Sequence, residues 1–295
     1  MPYKKYFLYS FTIMMSLFYL SACDLEREID IDLPETEVEL VVECYLEDGQ
    51  PYRLALSQTV SFLEPPGVPD VPNAEVTITT SSGEIIELEY DPILDEATDK
   101  IYNYRSRDDQ VVDANNIGPY FLRIFDRDTE KLITAQTSFL PVVPFEEISW
   151  EFEDVNQEIK DDSALALVLI RHFEEPDVDN YYRLLISNIN DEDEEVTVDF
   201  NYQGLLATDN EVTLSTIYQF KNEDTLRLSL YHFDERAFDY FNSVEDAADV
   251  NGNPFAQPVP IQSGVEGGLG VFAALAFDRR TIVIQKEEDD PQADP

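Results

Sequence analysis

Cysteine and histidine are nearly missing from this chain, with two of each in 295 residues beside a single tryptophan. Two thiols cannot build a disulfide framework or a cysteine-rich metal site. One of them, Cys44, sits in the strand-like run Val41-Val42-Glu43-Cys44-Tyr45-Leu46, where a buried, inert thiol is expected. Positive charge is also scarce: 19 Lys and Arg face 62 Asp and Glu, for a formal net charge of -43. A surface of that sign repels phosphate backbones and anionic headgroups, and the basic footprint of a nucleic-acid binder is absent. Beyond the first twenty or so positions no apolar run is long enough for a membrane-spanning helix. The hydrophobic share of 43% and aromatic share of 12% are still ample for packed cores, so the chain is no disordered acidic tail.

Catalytic signatures are as thin. No Gly-x-Ser-x-Gly turn is present to activate a serine. The glycine-rich stretch Gly264-Val265-Glu266-Gly267-Gly268-Leu269-Gly270 superficially resembles a dinucleotide loop. Such a loop needs a strand before it and a helix after it, whereas here a proline-rich loop precedes, a strand-like run follows and Glu266 would repel phosphate. The expected role of Gly267, Gly268 and Gly270 is structural, a tight approach to the last strands. His172 and His232 each end a strand-like run and would need a shared carboxylate to hold a metal, so a structural, hydrogen-bonded role is expected for both. Asp-rich turns such as Asp108-Asp109 lack EF-hand spacing. Acid–base pairing among 62 carboxylates means nothing without burial and a shifted pKa. The residues therefore point to no catalytic group, no metal and no cofactor.

What is present begins at the N-terminus. Lys4 and Lys5 precede an apolar run from Phe7 to Leu20, and Leu20-Ser21-Ala22-Cys23 follows. A positive region, a short apolar region and small residues before a cleavage point make a secretory signal peptide over 1–22. A cysteine directly after Ala22 gives the pattern of a bacterial lipobox, in which Cys23 is acylated and becomes the first residue of the mature chain. Residues 23–36 read as a lipidated tether that opens on the acidic run Asp24-Leu25-Glu26-Arg27-Glu28.

Alternating apolar and polar residues then predict strands at 37–46, 52–59, 74–80, 85–90, 101–104, 119–125 and 131–135. Seven short strands at this spacing predict an immunoglobulin-like β-sandwich over 37–144, closed by Pro141-Val142-Val143-Pro144. A larger antiparallel β domain, barrel-like or sandwich, is expected over 145–286. One amphipathic helix interrupts it at about 235–250, where Phe238, Phe241, Val244 and Ala248 fall at three- and four-residue spacing and Asp234 can cap. Residues 287–295 read as a disordered acidic tail. The fold class is thus all-β with one helix near the C-terminus. Phe62 with the Pro65-Pro66 loop, and the segment from Phe255 through Pro258 to Gln262, are candidate contacts to a partner or ligand, since loops displaying apolar groups beside rigid prolines bind with little ordering cost.

The order of these features is familiar. The start Cys23-Asp24-Leu25-Glu26-Arg27-Glu28-Ile29-Asp30, the run Pro72-Asn73-Ala74-Glu75-Val76-Thr77-Ile78 and the closing Asn253-Pro254-Phe255 with Gly267-Gly268-Leu269-Gly270-Val271-Phe272 resemble a Bacteroidota lipoprotein family, domain of unknown function 4249. The resemblance implies an outer-membrane lipoprotein, anchored by lipid and facing outward if the acidic run acts as an export tag. It also implies a non-enzymatic partner or substrate-binding subunit of a TonB-dependent transporter. A structural or adhesive surface protein is the alternative, and a glycan or peptide hydrolase a more distant one.

Overall fold

The computed structural model describes residues 37–60, 67–95, 100–153, 164–176, 179–190, 195–204, 210–250, 257 and 259–286. The leader, Ala22, Cys23, the tether, the tail and the predicted contacts Phe62, Pro65, Pro66, Phe255 and Pro258 lie outside them. Strict alternation in Leu40–Leu46 buries Leu40, Val42, Cys44 and Leu46 on one side and turns Val41, Glu43 and Tyr45 to the other, which makes this segment strand β1. The same period runs through β2 (Arg53–Gln58), β3 (Ala74–Thr79), β6 (Tyr120–Asp126) and the first half of β4 (Ile85–Asp95), whereas β5 (Lys100–Arg105) buries Tyr102, Asn103 and Tyr104 in a row and β7 (Leu132–Thr137) alternates irregularly. In the second half follow β8 (Phe145–Phe152), β9 (Ala166–Phe173), β10 (Tyr181–Asn188), β11 (Glu195–Gln203), β12 (Glu211–Ser215) and β13 (Thr225–Phe233). Helix α1 (Glu235–Val250), β14 (Leu269–Ala274) and β15 (Ala276–Val283) complete the order. The described residues are all-β with one helix near the C-terminus.

The first seven strands and β14 form one eight-stranded sheet in the order β14-β1-β2-β5-β4-β3-β6-β7. It bends at β4, which pairs with β3 through Ile85 to Leu88 and with β5 from Glu89 onward, across a register shift between Tyr90 and Ile93. The lack of alternation hid this bend from the sequence: the strand continues through Pro92, Ile93 and Leu94 to Asp95, beyond its predicted end at Tyr90. The fold-over brings the two ends of the sheet together. Thr134 of β7 and Glu266 exchange backbone hydrogen bonds of 3.0 and 2.9 Å, and the Ala274 amide donates to Thr137 Oγ1 at 3.0 Å. The sheet is nearly closed around a core that includes Val42, Leu54, Ile78, Tyr104, Leu122, Ile124 and Phe272.

β14 runs parallel to β1, with Val42 opposite Gly270 and Cys44 opposite Phe272. A strand from residues 269–274 therefore completes the sheet of residues 40–137, across the boundary expected at 144. The described residues from Val38 onward belong to one compact unit. The remaining strands make a four-stranded antiparallel sheet, β11-β10-β13-β15, and a three-stranded one, β12-β9-β8. Tyr182, Leu184, Leu228 and Leu230 from the first meet Val168, Ile170 and Phe145 from the second in a shared core, so this part is a sandwich.

Asp234 caps α1 by accepting from the Ala237 amide at 3.0 Å, as the residue type at that position leads one to expect. The buried face of the helix differs from the predicted stripe. Ala237, Tyr240 and Ser243 are buried, whereas Val244 and Ala248 stay open. The helix packs against two surfaces at once, the outer side of β14 through Val271 and Ala273 and the outer side of β10 and β13 through Tyr181 and Phe233. Among the described residues no helix is long and apolar enough to cross a membrane.

Candidate functional site

The outward positions of β1, β2 and β5, those of β10, β11 and β13, and one side of α1 enclose an open cleft of about 760 Å³. That is the size of a small-molecule or peptide site, set where two sheets and a helix meet. Period-two alternation puts its residues there: once Val42, Cys44 and Leu46 point into the first core, Glu43, Tyr45 and Glu47 must point to the cleft. Equally, inward Tyr182, Leu184 and Ile186 leave Arg183 and Leu185 outward.

Its rings and charges are organised in groups that hold one another. Tyr45 and Phe241 stack at 6.0 Å between centroids and 19° between planes. Lys100 lies over the Tyr45 ring at 5.2 Å, and the Arg183 guanidinium over Phe241 at 4.9 Å. Both cations are paired. Lys100 bonds Glu43, whose Oε2 also accepts from Tyr45 Oη at 3.0 Å, and Arg183 reaches both Asp199 oxygens at 2.7 Å. A third cation, Arg53, sits 4.2 Å above Tyr102 and is paired with Asp95 at 2.9 Å. Each cation–ring contact contributes on the order of 1 kcal/mol, and a planar, bidentate Arg–carboxylate pair fixes geometry as well as charge.

The cleft carries two further carboxylates. Glu245 has a long 3.5 Å contact from Asn201 Nδ2. The Glu47 carboxylate accepts from no donor and joins no ion pair among the described residues, and burial pushes it above the usual range despite Arg279 and Arg53 nearby. The tyrosine hydroxyls around them are raised as well, first by burial and then by carboxylates: Tyr45 and Tyr240 by Glu43, Tyr231 by Glu47, and Tyr102, up to about 12, by Asp95, Glu43 and Glu47, with Arg53 opposing.

Of the predicted contact residues, Gln262 alone is described. It is exposed and tied to α1 through a 2.9 Å bond from its amide to Ser243 Oγ. Gly267, Gly268 and Gly270 lie at the seam of the eight-stranded sheet. Gly267 and Gly270 have φ of 86° and 123°, and a Cβ on them would overlap the carbonyl oxygens of Leu132 and Val42. A Cβ on Gly268 would stand 2.7 Å from the Leu40 oxygen. His172 and His232 lie deep in the second core, on either side of Tyr182 at 5.1 and 4.8 Å between ring centroids. Tyr202 Oη bonds His172 Nε2 at 2.7 Å, and His232 Nδ1 lies 2.8 Å from the Pro141 oxygen. Burial lowers both, His172 to about 4, which keeps it neutral near pH 7. No group of three or more His, Cys, Asp or Glu among the described residues is placed to hold a metal. Cys44 is buried, and burial pushes its thiol well above the ordinary range.

The cleft escaped sequence reasoning because its residues come from six strands and a helix, and no local spacing joins them. The available signal was the rule that mixed aromatic and charged side chains occupied the outward positions of otherwise apolar strands.

Compared with known families, the chain matches the model described as domain of unknown function (DUF4249) over residues 26–281. Among curated proteins none matches it.

Proposed function

The chain belongs to the DUF4249 family, and on that premise we propose that it is a lipid-anchored, outward-facing, non-enzymatic binding subunit of a TonB-dependent outer-membrane transporter. The observation that carries the binding role is the cleft: about 760 Å³, open, and walled by rings whose charged neighbours are already fixed in ion pairs. A wall ordered before the ligand arrives lowers the entropy cost of binding. The cleft's three lining cations are each held by a carboxylate, and both imidazoles lie in the other core, away from Glu47 and Glu245. The lipid anchor rests on Cys23 in its lipobox, and the transporter on the family resemblance.

We also read the first half as an immunoglobulin-like sandwich. Two features support that reading. The strand order β1-β2-β5-β4 beside β4-β3-β6-β7 follows the seven-strand pattern. Tyr120, at the start of β6, bonds back from its hydroxyl to the Asn116 oxygen at 2.8 Å, like a tyrosine corner.

The test is purification of the intact lipoprotein from outer membranes in mild detergent, with mass spectrometry of what travels with it. Recovery of one transporter in a near-equal amount is the expected outcome. Recovery of the protein alone across gentler detergents removes the transporter reading and favours the adhesive one. Cys23→Ser is expected to release the protein from membranes, and its retention there would overturn the anchor.

A further inference from the structure

With the cleft read as a binding site, as proposed above, the charges that line it favour one sign of ligand. Lys100, Arg53 and Arg183 are each neutralised by a carboxylate of the protein itself, Glu43, Asp95 and Asp199. An anionic ligand would have to break one of these pairs to gain any of the three, and Arg279 beside the wall already donates to Ser229 Oγ and Tyr231 Oη at 2.9 Å. Among the lining residues the surplus is of the other sign: the Glu47 carboxylate, half-buried near Arg279 and Arg53 but with no donor or ion pair among the described residues, and Glu245, with only its 3.5 Å contact. A partly desolvated carboxylate without a donor gives up its hydration and gains little in return, so a ligand that supplies the missing N–H groups gains what the protein lacks. Tyr231 and Tyr102 stand in the field of Glu47, and Tyr45 and Tyr240 in that of Glu43, which places carboxylate charge among the rings. Phenol rings beside carboxylates are a setting that favours organic cations. The formal net charge of -43 adds long-range attraction for cations and repulsion of anions.

We propose that the cleft recognises its ligand through an ammonium or guanidinium group, seated on Glu47 among the cleft tyrosines, with Glu245 on α1 as the second anionic contact. An alkyl ammonium of this kind can belong to a basic peptide or to a free polyamine, and the shared chemistry is what the site reads.

The experiment is calorimetric titration of the full lipoprotein in detergent with four probes: an acetylated, amidated tri-lysine, spermidine, maltotriose and citrate. The expected result is saturable binding of a cationic probe that weakens about tenfold in Glu47→Gln and less in Glu245→Gln. The control Glu84→Gln, an exposed acid outside the cleft, should change it by less than about twofold. Tighter binding of the peptide assigns the group to a peptide, and tighter binding of spermidine assigns it to a free amine; either supports the proposal. Cation binding that ignores both cleft variants reports general surface acidity and overturns it. So does a cleft that takes maltotriose or citrate in preference, with binding lost in Phe241→Ala, although the binding-subunit reading then survives. Failure of all four probes overturns the cationic proposal, while the co-purification test judges the transporter role separately.

Discussion

Gly270 shows how little room some positions allow. Its φ of 123° is already unfavourable to an L side chain, and its Cα hydrogen faces the Val42 carbonyl across the parallel β1–β14 pair. Gly270→Ala is expected to cost more than about 3 kcal/mol and to lower the yield of folded protein, read by thermal denaturation. Gly83→Ala is the matched control: its φ is 84° but nothing lies within 4 Å of the added methyl, so about 1 kcal/mol is expected. His172 makes a second prediction at this scale. Its folded-state value of about 4 lies below the 6.5 of the unfolded chain, so between those values the unfolded state binds a proton that the folded state does not. Stability should therefore be full above pH 6.5 and fall as the pH drops toward 4. His172→Gln should remove about 3 kcal/mol of that fall, measured by urea denaturation at several pH values.

The helix is the element on which the cleft depends, and Asp234 secures its start. One carboxylate oxygen accepts from the Ala237 amide, and the other from Thr137 Oγ1 of β7 at 3.1 Å. Asp234→Ala is expected to cost about 1–2 kcal/mol in denaturant titrations, and Asp234→Asn about half that. The span of α1 was legible in the sequence because a 3.6-residue period and a capping aspartate are local signals. Its buried face was not: Tyr240 packs between two sheets that are distant in the chain, so tertiary contact decided which side turned inward. The strands divide the same way. Alternation announced β1, β3 and β6, whereas the exposed, non-alternating second half of β4 is held by pairing with β5, where Leu94 meets Ile101, both exposed. Pairing partners are a non-local property. For that reason the cleft, built wholly from such outward positions, stayed invisible while the glycines at the seam did not.

At the scale of the whole molecule, β14 joins the two halves. Phe272 and Ala274 from that strand belong to the first core, and Val271 and Ala273 to the packing around α1. A fragment ending at residue 144 lacks β14 and leaves the β1 edge and part of its core uncovered. Such a fragment is expected to self-associate or precipitate on size-exclusion chromatography, since an open edge invites pairing with another chain; a stable monomer would show that β14 is dispensable. The same parallel pairing has a temporal side. β1 emerges early and its neighbour almost last, so contacts of very long sequence separation must wait for nearly the whole chain. A chain exported across a membrane must stay unfolded until it has crossed, and a sheet that cannot close before its final strands arrive suits that order of events. A chain released short of β14 keeps an exposed edge, which marks it for proteolysis and makes completion of synthesis a condition of survival.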